Sequence, residues 1–373
     1  MKVQVFGHPY ASIGMSEQML SFCRAMDEVY LDYRVSDIYG INSCVDTCNS
    51  VSNKLTTDYN WGGIRVFHIN GDEVQPCLSH LKKAGMNFEK GYNIIIPAWE
   101  LPSYPVEWRE SVNKFDEIWA LSHFIEKIFS QNWVTPTVRY VGQAAERELG
   151  LVYPRKYFGI KDSSLVFLSF FDQSSYIARK NPYAVLELYE KLRKELPYSD
   201  FQLVLKAKNI DAEADLNLPF IDEQVVIINK NLTQEEITSL IDCCDVFISL
   251  HRSEGFGRGG AEALLRGRRA LLTAYSGVED YCSDPAVIPV DYSLVNVNEG
   301  EYPFSEGQKW AEPDISDAFK KTKNLILDWE KSQDNYTFFR DNPIAGDVVR
   351  RVASNFNVGL NILRNLEKIS HCM

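Results

Sequence analysis

The fold is decided by one stretch of sequence, Ile248-Ser-Leu-His-Arg-Ser-Glu-Gly-Phe-Gly-Arg-Gly-Gly-Ala-Glu-Ala-Leu-Leu-Arg-Gly267. The stretch begins at the end of an apolar run, continues with a glycine-rich turn, and ends with residues whose composition is that of a helix. Gly267 stands where it would end that helix, because glycine readily adopts the left-handed conformation found at helix C-termini. The stretch therefore predicts a buried strand, a tight turn and a helix, which together form the repeating unit of an α/β domain.

The same alternation extends along the chain on both sides of this stretch. Short apolar runs rich in Val, Ile and Phe alternate with longer segments of helical period, which is typical of parallel sheets covered by helices. We therefore expect two doubly wound, Rossmann-like domains. The predicted helices include Glu17–Met26, His123–Ser130, Pro182–Leu196 and Glu235–Ile241. The predicted strands are Val3–Gly7, Val29–Val35, Ile64–Ile69, Asn93–Ala98, Glu117–Leu121, Val138–Val141, Leu165–Phe171, Phe201–Lys206, Val225–Asn229, Val246–Leu250, Ala270–Ala274 and Val287–Val290.

The domain boundary is expected between the two series of strands. Residues 151–162 contain a proline and a glycine and have no clear period, so we place the linker there. We expect an N-terminal domain over 1–155 on the acceptor side, a donor domain over 163–345, and a terminal segment over 346–373 that packs back on the first domain. That segment is predicted to contain one long helix, Asp347–Ile369. Two facing domains of this kind form a cleft at the carboxyl ends of their strands, where ligands bind.

The composition indicates a soluble globular protein. The chain has 373 residues, 45% hydrophobic and 24% charged, with a formal net charge of −12. So acidic a chain argues against nucleic acid as the main partner. We find neither a charged leader before an apolar run nor an apolar stretch long enough to span a membrane, and we expect a cytoplasmic protein. Cys44 and Cys48 have no second pair that would complete a metal site.

Two carboxylates, Glu254 and Glu262, stand on either side of the glycine-rich turn, with seven residues between them. A carboxylate oxygen can accept hydrogen bonds from hydroxyl groups. The glycines of the turn remove side chains, so a ligand can approach the backbone N–H groups. The start of the following helix favours negatively charged oxygens. These features suit a ligand that carries both hydroxyl and phosphate groups.

In this context the pair resembles the Glu-x7-Glu signature of the retaining glycosyltransferases of the GT-B fold, family 4. Other segments fit the family pattern in the same order along the chain. The resemblance covers most of residues 90–330 and is weak over 36–60. It implies a GT-B architecture and an activity similar to that of the mannosyl and hexosyl transferases of glycan assembly. The matching segments are Pro97–Pro102, Asp116–Ser122, Ala178–Pro182, Thr273–Glu279 and Tyr302–Asp314.

The resemblance implies a role for each matching residue. Glu254 would hold hydroxyls of the donor sugar, and Glu262 would bind the ribose hydroxyls of the nucleotide. Lys180, with Arg179 beside it, would face the diphosphate, where positive charge stabilises the leaving group. Glu100 stands where many relatives have a histidine that contacts the sugar, so it could contact the sugar here. The alternative is that Glu100 is a carboxylate at the edge of the sheet without a function. The donor sugar and diphosphate would also contact Gly14, Gly255, Phe256, Gly257, Arg258, Ser276 and Gly277.

The sequence departs from the family pattern at one phosphate-binding position. Relatives usually have an arginine on the amino-terminal side of the loop lysine, where this chain has Ser174. Arg179, Lys206 or Lys208 could supply the missing charge instead. Whether Ser174 weakens activity is left open by the sequence.

Three histidines lie close to predicted strands. His68 stands in an apolar run, which favours a core residue over a functional one. His8 follows the first strand and could face the cleft. The resemblance includes the pair His251-Arg252, whose role could be only to orient the turn that follows.

No metal or other cofactor is expected. Transferases that hold a divalent ion on the diphosphate usually carry Asp-x-Asp, and no such pair occurs in this sequence. Charge neutralisation would then fall to Lys180, Arg179 and helix N-termini. The nucleoside-diphosphate sugar would be the donor substrate rather than a cofactor.

The resemblance implies transfer of a hexose to an acceptor hydroxyl with retention of configuration. In such a reaction an oxygen of the leaving phosphate would take the proton of the acceptor hydroxyl. GDP-mannose is the favoured donor, and a UDP-hexose is the alternative. An epimerase or phosphorylase of the same architecture, and a non-catalytic sugar-nucleotide-binding protein, are the other hypotheses. The acceptor could be a glycan, a lipid-linked glycan or a protein glycan. Peripheral membrane contact is left open, as is the choice between a monomer and a homodimer.

Overall fold

The structure is a computed structural model, and the chain divides into two compact units. Residues 1–146 and 350–373 form unit 1, and residues 147–349 form unit 2. Three residues singled out above lie outside the described part of the chain, as does the side chain of Lys208. These three are Cys44, Cys48 and Ser174. The described residues are 1–11, 13–39, 51–148, 150–172, 176–208, 222–332 and 346–371.

Unit 1 is built on a parallel sheet. Its strands, within the described residues, are β1 (Val3–Gly7), β2 (Tyr33–Asp37), β3 (Ile64–Phe67), β4 (Tyr92–Ile95), β5 (Glu117–Ala120) and β6 (Thr137–Tyr140). They lie in the order β2-β1-β3-β4-β5-β6, and all neighbouring pairs run parallel. Every residue of β1 is buried, as expected for a strand covered by helices on both faces.

The two helices predicted in this half, Glu17–Met26 and His123–Ser130, are confirmed as the first and fourth of its helices. The helices of unit 1 include α1 (Gly14–Glu28), α2 (Gly71–Lys83), α3 (Val106–Val112) and α4 (His123–Phe129). All the strands predicted in this half are confirmed. The largest difference is at β2, for which the sequence predicted Val29–Val35. Helix α1 continues to Glu28, and Tyr30 then adopts a left-handed φ of 56°, so the chain turns before the strand begins.

Unit 2 repeats the same architecture. Its sheet has the order β12-β11-β10-β7-β8-β9, again with parallel neighbours. All the strands predicted in this half are confirmed as well, and a hydrophobic core of inward-facing strand and helix residues covers the sheet. The elements of unit 2 are β7 (Leu165–Asp172), α5 (Ile177–Lys180), α6 (Pro182–Glu195), β8 (Phe201–Lys208), β9 (Val225–Ile228), α7 (Gln234–Cys243), β10 (Val246–Ser249), α8 (Arg258–Leu265), β11 (Arg269–Thr273), β12 (Val287–Val290) and α9 (Ile315–Lys331).

In each sheet the strand order reverses at one point. In unit 1 the reversal lies between β1 and β3, and in unit 2 it lies between β7 and β10. The connections that leave two such neighbours run to opposite faces of the sheet, which opens a crevice at the carboxyl ends of the strands. We call these positions the switch points of unit 1 and unit 2. Ligands of open α/β sheets bind at switch points.

Unit 2 also contains an antiparallel pair that was not predicted. It consists of β13 (Tyr292–Asn296) and β14 (Lys309–Pro313). Four of the five residues of β13 are exposed, so this strand lacks the apolar run that marks a buried strand in a sequence. The Ala311 amide donates a hydrogen bond to the Arg252 carbonyl at 3.0 Å, which ties the pair to the loop after β10.

The terminal segment forms two helices, α10 (Asp347–Ala353) and α11 (Asn355–Ser370). The single helix predicted over Asp347–Ile369 is therefore wrong. Ser354 has an extended backbone, with ψ of 146°, and its hydroxyl accepts a hydrogen bond from the Asn357 amide. A serine in this position stabilises a helix start, although the apolar period continues across it. Helix α11 packs along α1 in unit 1.

Short 3-10 turns lie at Ser52–Lys54, Phe88–Lys90, Arg155–Phe158 and Ser276–Asp280.

Candidate donor site

The glycine-rich turn after β10 is shaped by the packing of α8. Gly257 precedes the helix with φ of 85°, in the left-handed region, and its carbonyl accepts a hydrogen bond from the Tyr281 hydroxyl at 2.6 Å. A Cβ at Gly257 would lie 2.4 Å from Val278, and one at Gly259 would lie 2.5 Å from the Phe247 ring. Contacts within the protein therefore require glycine at both positions, independently of any ligand.

Glu254 lies in this turn with only 8% of its surface exposed. Its Oε1 accepts a hydrogen bond from Lys180 Nζ at 2.6 Å, and its Oε2 accepts one from Arg179 Nη1 at 3.1 Å. Burial alone would raise the pKa of this carboxyl, but Lys180 and Arg179 outweigh burial and hold the pKa at about 2. Glu254 is therefore ionised at neutral pH and acts only as a hydrogen-bond acceptor.

The two cations reach Glu254 across the switch point of unit 2. Arg179 and Lys180 form the end of α5, after β7, and Asn181 then takes a left-handed φ of 51°. Arg252, next to the turn, fixes this loop: its amide donates to the Arg179 carbonyl at 2.8 Å and its Nη1 to the Ala178 carbonyl at 3.0 Å. The structure thus brings Glu254, Lys180 and Arg179 together. Arg252 orients the loop, which is the role that the sequence left open for it.

Ser276 and Gly277, predicted to bind the donor, hold the backbone of Glu254. The Glu254 amide donates to Ser276 Oγ at 2.8 Å, and the Gly277 amide donates to the Glu254 carbonyl at 2.9 Å. Phe256 is buried, with its ring against that of Tyr281. These contacts fix the position of the Glu254 carboxylate.

Glu262, on α8, is even more deeply buried, with 3% of its surface exposed. Arg147 binds it twice, from Nε to Oε2 and from Nη2 to Oε1, both at 2.9 Å. Arg258, one turn earlier on the helix, donates from Nη2 to Oε1 at 2.7 Å. Gln234 accepts a hydrogen bond from the remaining arm of Arg147. Arg147 was not predicted, because it lies 115 residues from Glu262 in an irregular segment with no motif.

Each of the two glutamates therefore contacts two cationic side chains. Lys180 and Arg179 stand against Glu254, and Arg147 and Arg258 stand against Glu262. Each cluster has two positive charges and one negative charge, whereas the whole chain carries a net charge of −12. A local excess of positive charge in an acidic protein favours an anionic ligand.

Two of the histidines are neutral core residues. His251 is fully buried, and its ring lies 3.2 Å from Ser249 Oγ and 3.4 Å from the Tyr275 carbonyl. Burial lowers its pKa to about 4. His68, directly after β3, is also fully buried, and burial lowers its pKa to about 3. The prediction that His68 is a core residue is confirmed. At neutral pH neither ring contributes a positive charge.

The remaining predicted residues are distributed between the units. Glu100 follows β4 in unit 1 and is partly exposed. Gly14 begins α1, and a Cβ there would meet no described atom within 4 Å. Lys206 donates to the Ala207 carbonyl at 3.0 Å. Glu100 therefore belongs to a different unit from Glu254, the glutamate that was predicted to hold hydroxyls of the donor sugar.

Two kinds of feature are absent from the described residues. No group of three His, Cys, Asp or Glu side chains there is arranged to hold a metal ion. In the same ranges, no helix combines the length and the apolar character needed to cross a membrane.

Comparison with known proteins identifies the fold. The sequence matches no protein-family model and no curated protein sequence. Among solved structures, sucrose-phosphate synthase from Thermosynechococcus elongatus is similar, with a TM-score of 0.67, 11% identity and coverage of 100% of both chains. The apo structure of the lipopolysaccharide outer core galactosyltransferase WaaB is also similar, with a TM-score of 0.62, 12% identity and coverage of 99% of both chains.

A third similar structure was solved with a nucleotide sugar. It is a trehalose-6-phosphate structure from E. coli bound with UDP-2-fluoro glucose, with a TM-score of 0.60 and 8% identity. It covers 98% of this chain and 99% of the other. At such low identities the likeness concerns the fold alone, and it extends over the whole chain. The two Rossmann-like parallel-sheet domains thus have the GT-B fold.

Proposed function

We propose that the protein is a retaining glycosyltransferase that transfers a hexose from a nucleoside-diphosphate sugar to an acceptor hydroxyl in glycan biosynthesis. The observation that carries this proposal is the pair of buried glutamates, Glu254 and Glu262, each bound by two cationic side chains. Carboxylates recognise sugar hydroxyls, and arginine and lysine recognise phosphate oxygens. A nucleoside-diphosphate sugar carries both kinds of group. The GT-B fold of solved sugar synthases and transferases supports the same conclusion.

The chemistry proposed for Glu254 is positioning. As an ionised acceptor it would hold hydroxyls of the donor sugar and so fix the anomeric carbon. Lys180 and Arg179 would then stabilise the diphosphate oxygens as the bond to the anomeric carbon breaks. Their present contacts with Glu254 keep both cations oriented before the donor binds. With these two cations at the diphosphate, the proposed reaction needs no divalent metal.

The chemistry proposed for Glu262 is binding of the ribose. Its Oε1 already accepts three N–H groups, one from Arg147 and two from Arg258. Its Oε2 accepts only one among the described residues, from Arg147 Nε. A carboxylate oxygen has two lone pairs, so Oε2 can accept one more hydrogen bond. A ribose hydroxyl is the donor that we propose for it.

The donor base and sugar can be narrowed by a binding screen. The similar E. coli structure holds UDP-2-fluoro glucose, which supports UDP-hexoses as candidates beside GDP-mannose. Calorimetry with UDP, GDP, UDP-glucose and GDP-mannose should show micromolar to millimolar affinity for one nucleotide series. The same mixtures with an acceptor should release nucleoside diphosphate, and NMR of the product should show the α configuration.

Three outcomes of this screen are decisive. Binding without release of diphosphate to any acceptor would indicate a sugar-nucleotide-binding protein without catalysis. Formation of a β product would contradict retention while leaving the donor site intact. No binding of any nucleotide at millimolar concentration would overturn the proposed function.

A further inference from the structure

A second pair of polar side chains lies at the switch point of unit 1 and is separate from the proposed donor site. His8 directly follows β1, and Glu73 lies in the first turn of α2, which follows β3. His8 Nε2 lies 2.5 Å from Glu73 Oε1. The pair therefore spans the two neighbouring strands between which the order of the sheet reverses. This is the position at which a parallel sheet binds its ligand.

The imidazole of His8 is held in one orientation. Only 5% of the residue is exposed, and Glu73 binds one edge of the ring. The ring of Tyr39 stacks on its face, with 5.5 Å between the centroids and 21° between the planes. Rotation of the imidazole would break both contacts, so its second nitrogen points in a fixed direction.

That second nitrogen is a buried hydrogen-bonding group that has no partner among the residues that the structure describes. Because a carboxylate can only accept, the tautomer of His8 that pairs with Glu73 has its proton on Nε2 and its lone pair on Nδ1. His8 Nδ1 is buried and has no hydrogen-bond partner among the described residues. Leaving a buried polar atom without a hydrogen bond has a free-energy cost, because its hydration is lost and not replaced. A ligand hydroxyl that donates to Nδ1 would remove that cost.

The charge of the surrounding segments selects among hydroxyl-bearing ligands. The described residues that directly follow β1, β2, β3 and β4 are 8–11, 13–16, 38–39, 68–73 and 96–105, and none of them is lysine or arginine. They include three acidic residues, besides Asp37 at the end of β2. Among these residues a phosphorylated ligand would meet negative charge that no cation offsets, whereas an uncharged ligand would meet no such repulsion. The three are Asp72, Glu73 and Glu100.

We propose that His8 Nδ1 accepts a hydrogen bond from a hydroxyl of an uncharged acceptor, and that Glu73 is the positioning residue that fixes the imidazole. This inference rests on the proposed function, and it adds the chemical class of the acceptor and the group that holds it. An uncharged glycoside or glycan end is then the acceptor, rather than a sugar phosphate.

The test compares transfer to an acceptor with hydrolysis of the donor. UDP-glucose and GDP-mannose are the donors, and methyl α-hexosides and hexose 6-phosphates are the acceptors. The full-length variants are His8→Phe, which keeps a ring against Tyr39, Glu73→Gln, and the exposed Glu89→Gln of the same unit as matched control. Nucleotide affinity is measured by calorimetry on every variant, so that loss of the donor site is recognised separately.

We expect His8→Phe to lower the ratio of transfer to hydrolysis at least tenfold, with nucleotide Kd within twofold of wild type. Glu73→Gln should raise KM for the acceptor more than it lowers kcat, and Glu89→Gln should change neither. Methyl hexosides should be better acceptors than hexose 6-phosphates. An unchanged ratio in His8→Phe, or a preference for hexose 6-phosphates, would overturn the inference although the proposed function stands.

A second measurement does not depend on activity or on the folding of a variant. In wild-type protein labelled with ¹⁵N-histidine, a methyl hexoside should shift the His8 Nδ1 resonance, and a hexose 6-phosphate at the same concentration should not. If the chemical shift of His8 Nδ1 did not change up to a saturating concentration of the hexoside, the proposal would be contradicted. Absence of nucleotide binding would instead count against the proposed function.

Discussion

The switch points of the two units have the same topology and opposite chemistry. In unit 2 the loops after β7 and β10 bring Arg179, Lys180 and Glu254 together, with two positive charges for one negative. In unit 1 the elements after β1 and β3 bring His8 and Glu73 together. Among the described residues 8–11, 13–16, 38–39, 68–73 and 96–105, which directly follow β1 to β4, there is no lysine or arginine. The same backbone arrangement thus presents a cationic site in one unit and an acidic one with an imidazole in the other.

This difference shows that the topology fixes where a ligand can bind, and side chains decide which ligand it is. An anionic diphosphate is favoured at the first site and disfavoured at the second. A hydroxyl group can be accepted at both, by Glu254 in one and by His8 in the other. In the proposed function the donor and the acceptor would bind to different units, and the following changes test that assignment.

The largest effect is expected from Lys180→Met, which removes one cation and leaves Arg179 to pair with Glu254. If Lys180 stabilises the leaving diphosphate, kcat should fall on the order of 10²- to 10³-fold, as for loss of one transition-state contact. Steady-state kinetics with the donor found in the screen would measure it. Lys156→Met, at an exposed position in the same unit, is the matched control and should retain full activity. Equal rates for both variants would remove Lys180 from the reaction.

The second effect concerns the acid stability that Glu254 provides. Its pKa is lowered from 4.5 to about 2 in the folded chain. The folded state therefore favours the ionised form, and the resulting stabilisation is complete above about pH 4.5 and lost as pH falls towards 2. Relative to wild type, Glu254→Gln should be destabilised on the order of 3 kcal/mol at pH 6, and the difference should shrink at pH 3.

Urea unfolding of both proteins at several pH values would measure this difference. The exposed carboxylate in Glu110→Gln, on α3 of unit 1, serves as the control, since its removal should have little effect at either pH. A difference between wild type and Glu254→Gln that stays constant from pH 6 to pH 3 would mean that Arg179 and Lys180 do not stabilise the ionised carboxylate.

Much of the unit 2 site follows from the sequence, for a physical reason. The apolar runs at β7 and β10 mark buried parallel strands, and residues just after such strands meet at the same edge of the sheet. Lys180, Arg179 and Glu254 each follow one of these runs, so their proximity is predictable before the structure is known.

The other contacts depend on side chains that no local pattern connects. Arg147 reaches Glu262 over 115 residues, and Glu73 reaches His8 over 65. Neither partner belongs to a motif, and a single arginine or glutamate is normally a solvated surface residue. The division of the terminal segment into two helices at Ser354 was not predicted for a related reason. One serine hydroxyl at the start of a helix outweighs an apolar period that continues through that position.

The third effect tests the ribose assignment. Glu262→Gln keeps the size of the side chain but removes its charge and one acceptor oxygen, with Arg147 and Arg258 left beside a neutral amide. Nucleoside diphosphate affinity should weaken about tenfold, equivalent to about 1.4 kcal/mol. Calorimetry with UDP and GDP would measure it, with exposed Glu223→Gln as the control. Unchanged affinity would place the ribose elsewhere.

The smallest effect separates unit 1 stability from unit 2 binding. Ser354→Ala removes the hydroxyl that accepts a hydrogen bond from the Asn357 amide at the start of α11. Loss of such a cap costs about 1 kcal/mol, so amide hydrogen exchange should accelerate severalfold in the first turn of α11. Because α11 packs on α1 within unit 1, nucleotide affinity should stay within twofold of wild type. If this variant weakened nucleotide binding as much as Glu262→Gln does, affinity would report the stability of the whole chain. The charge contrast between the two switch points would then not explain donor binding.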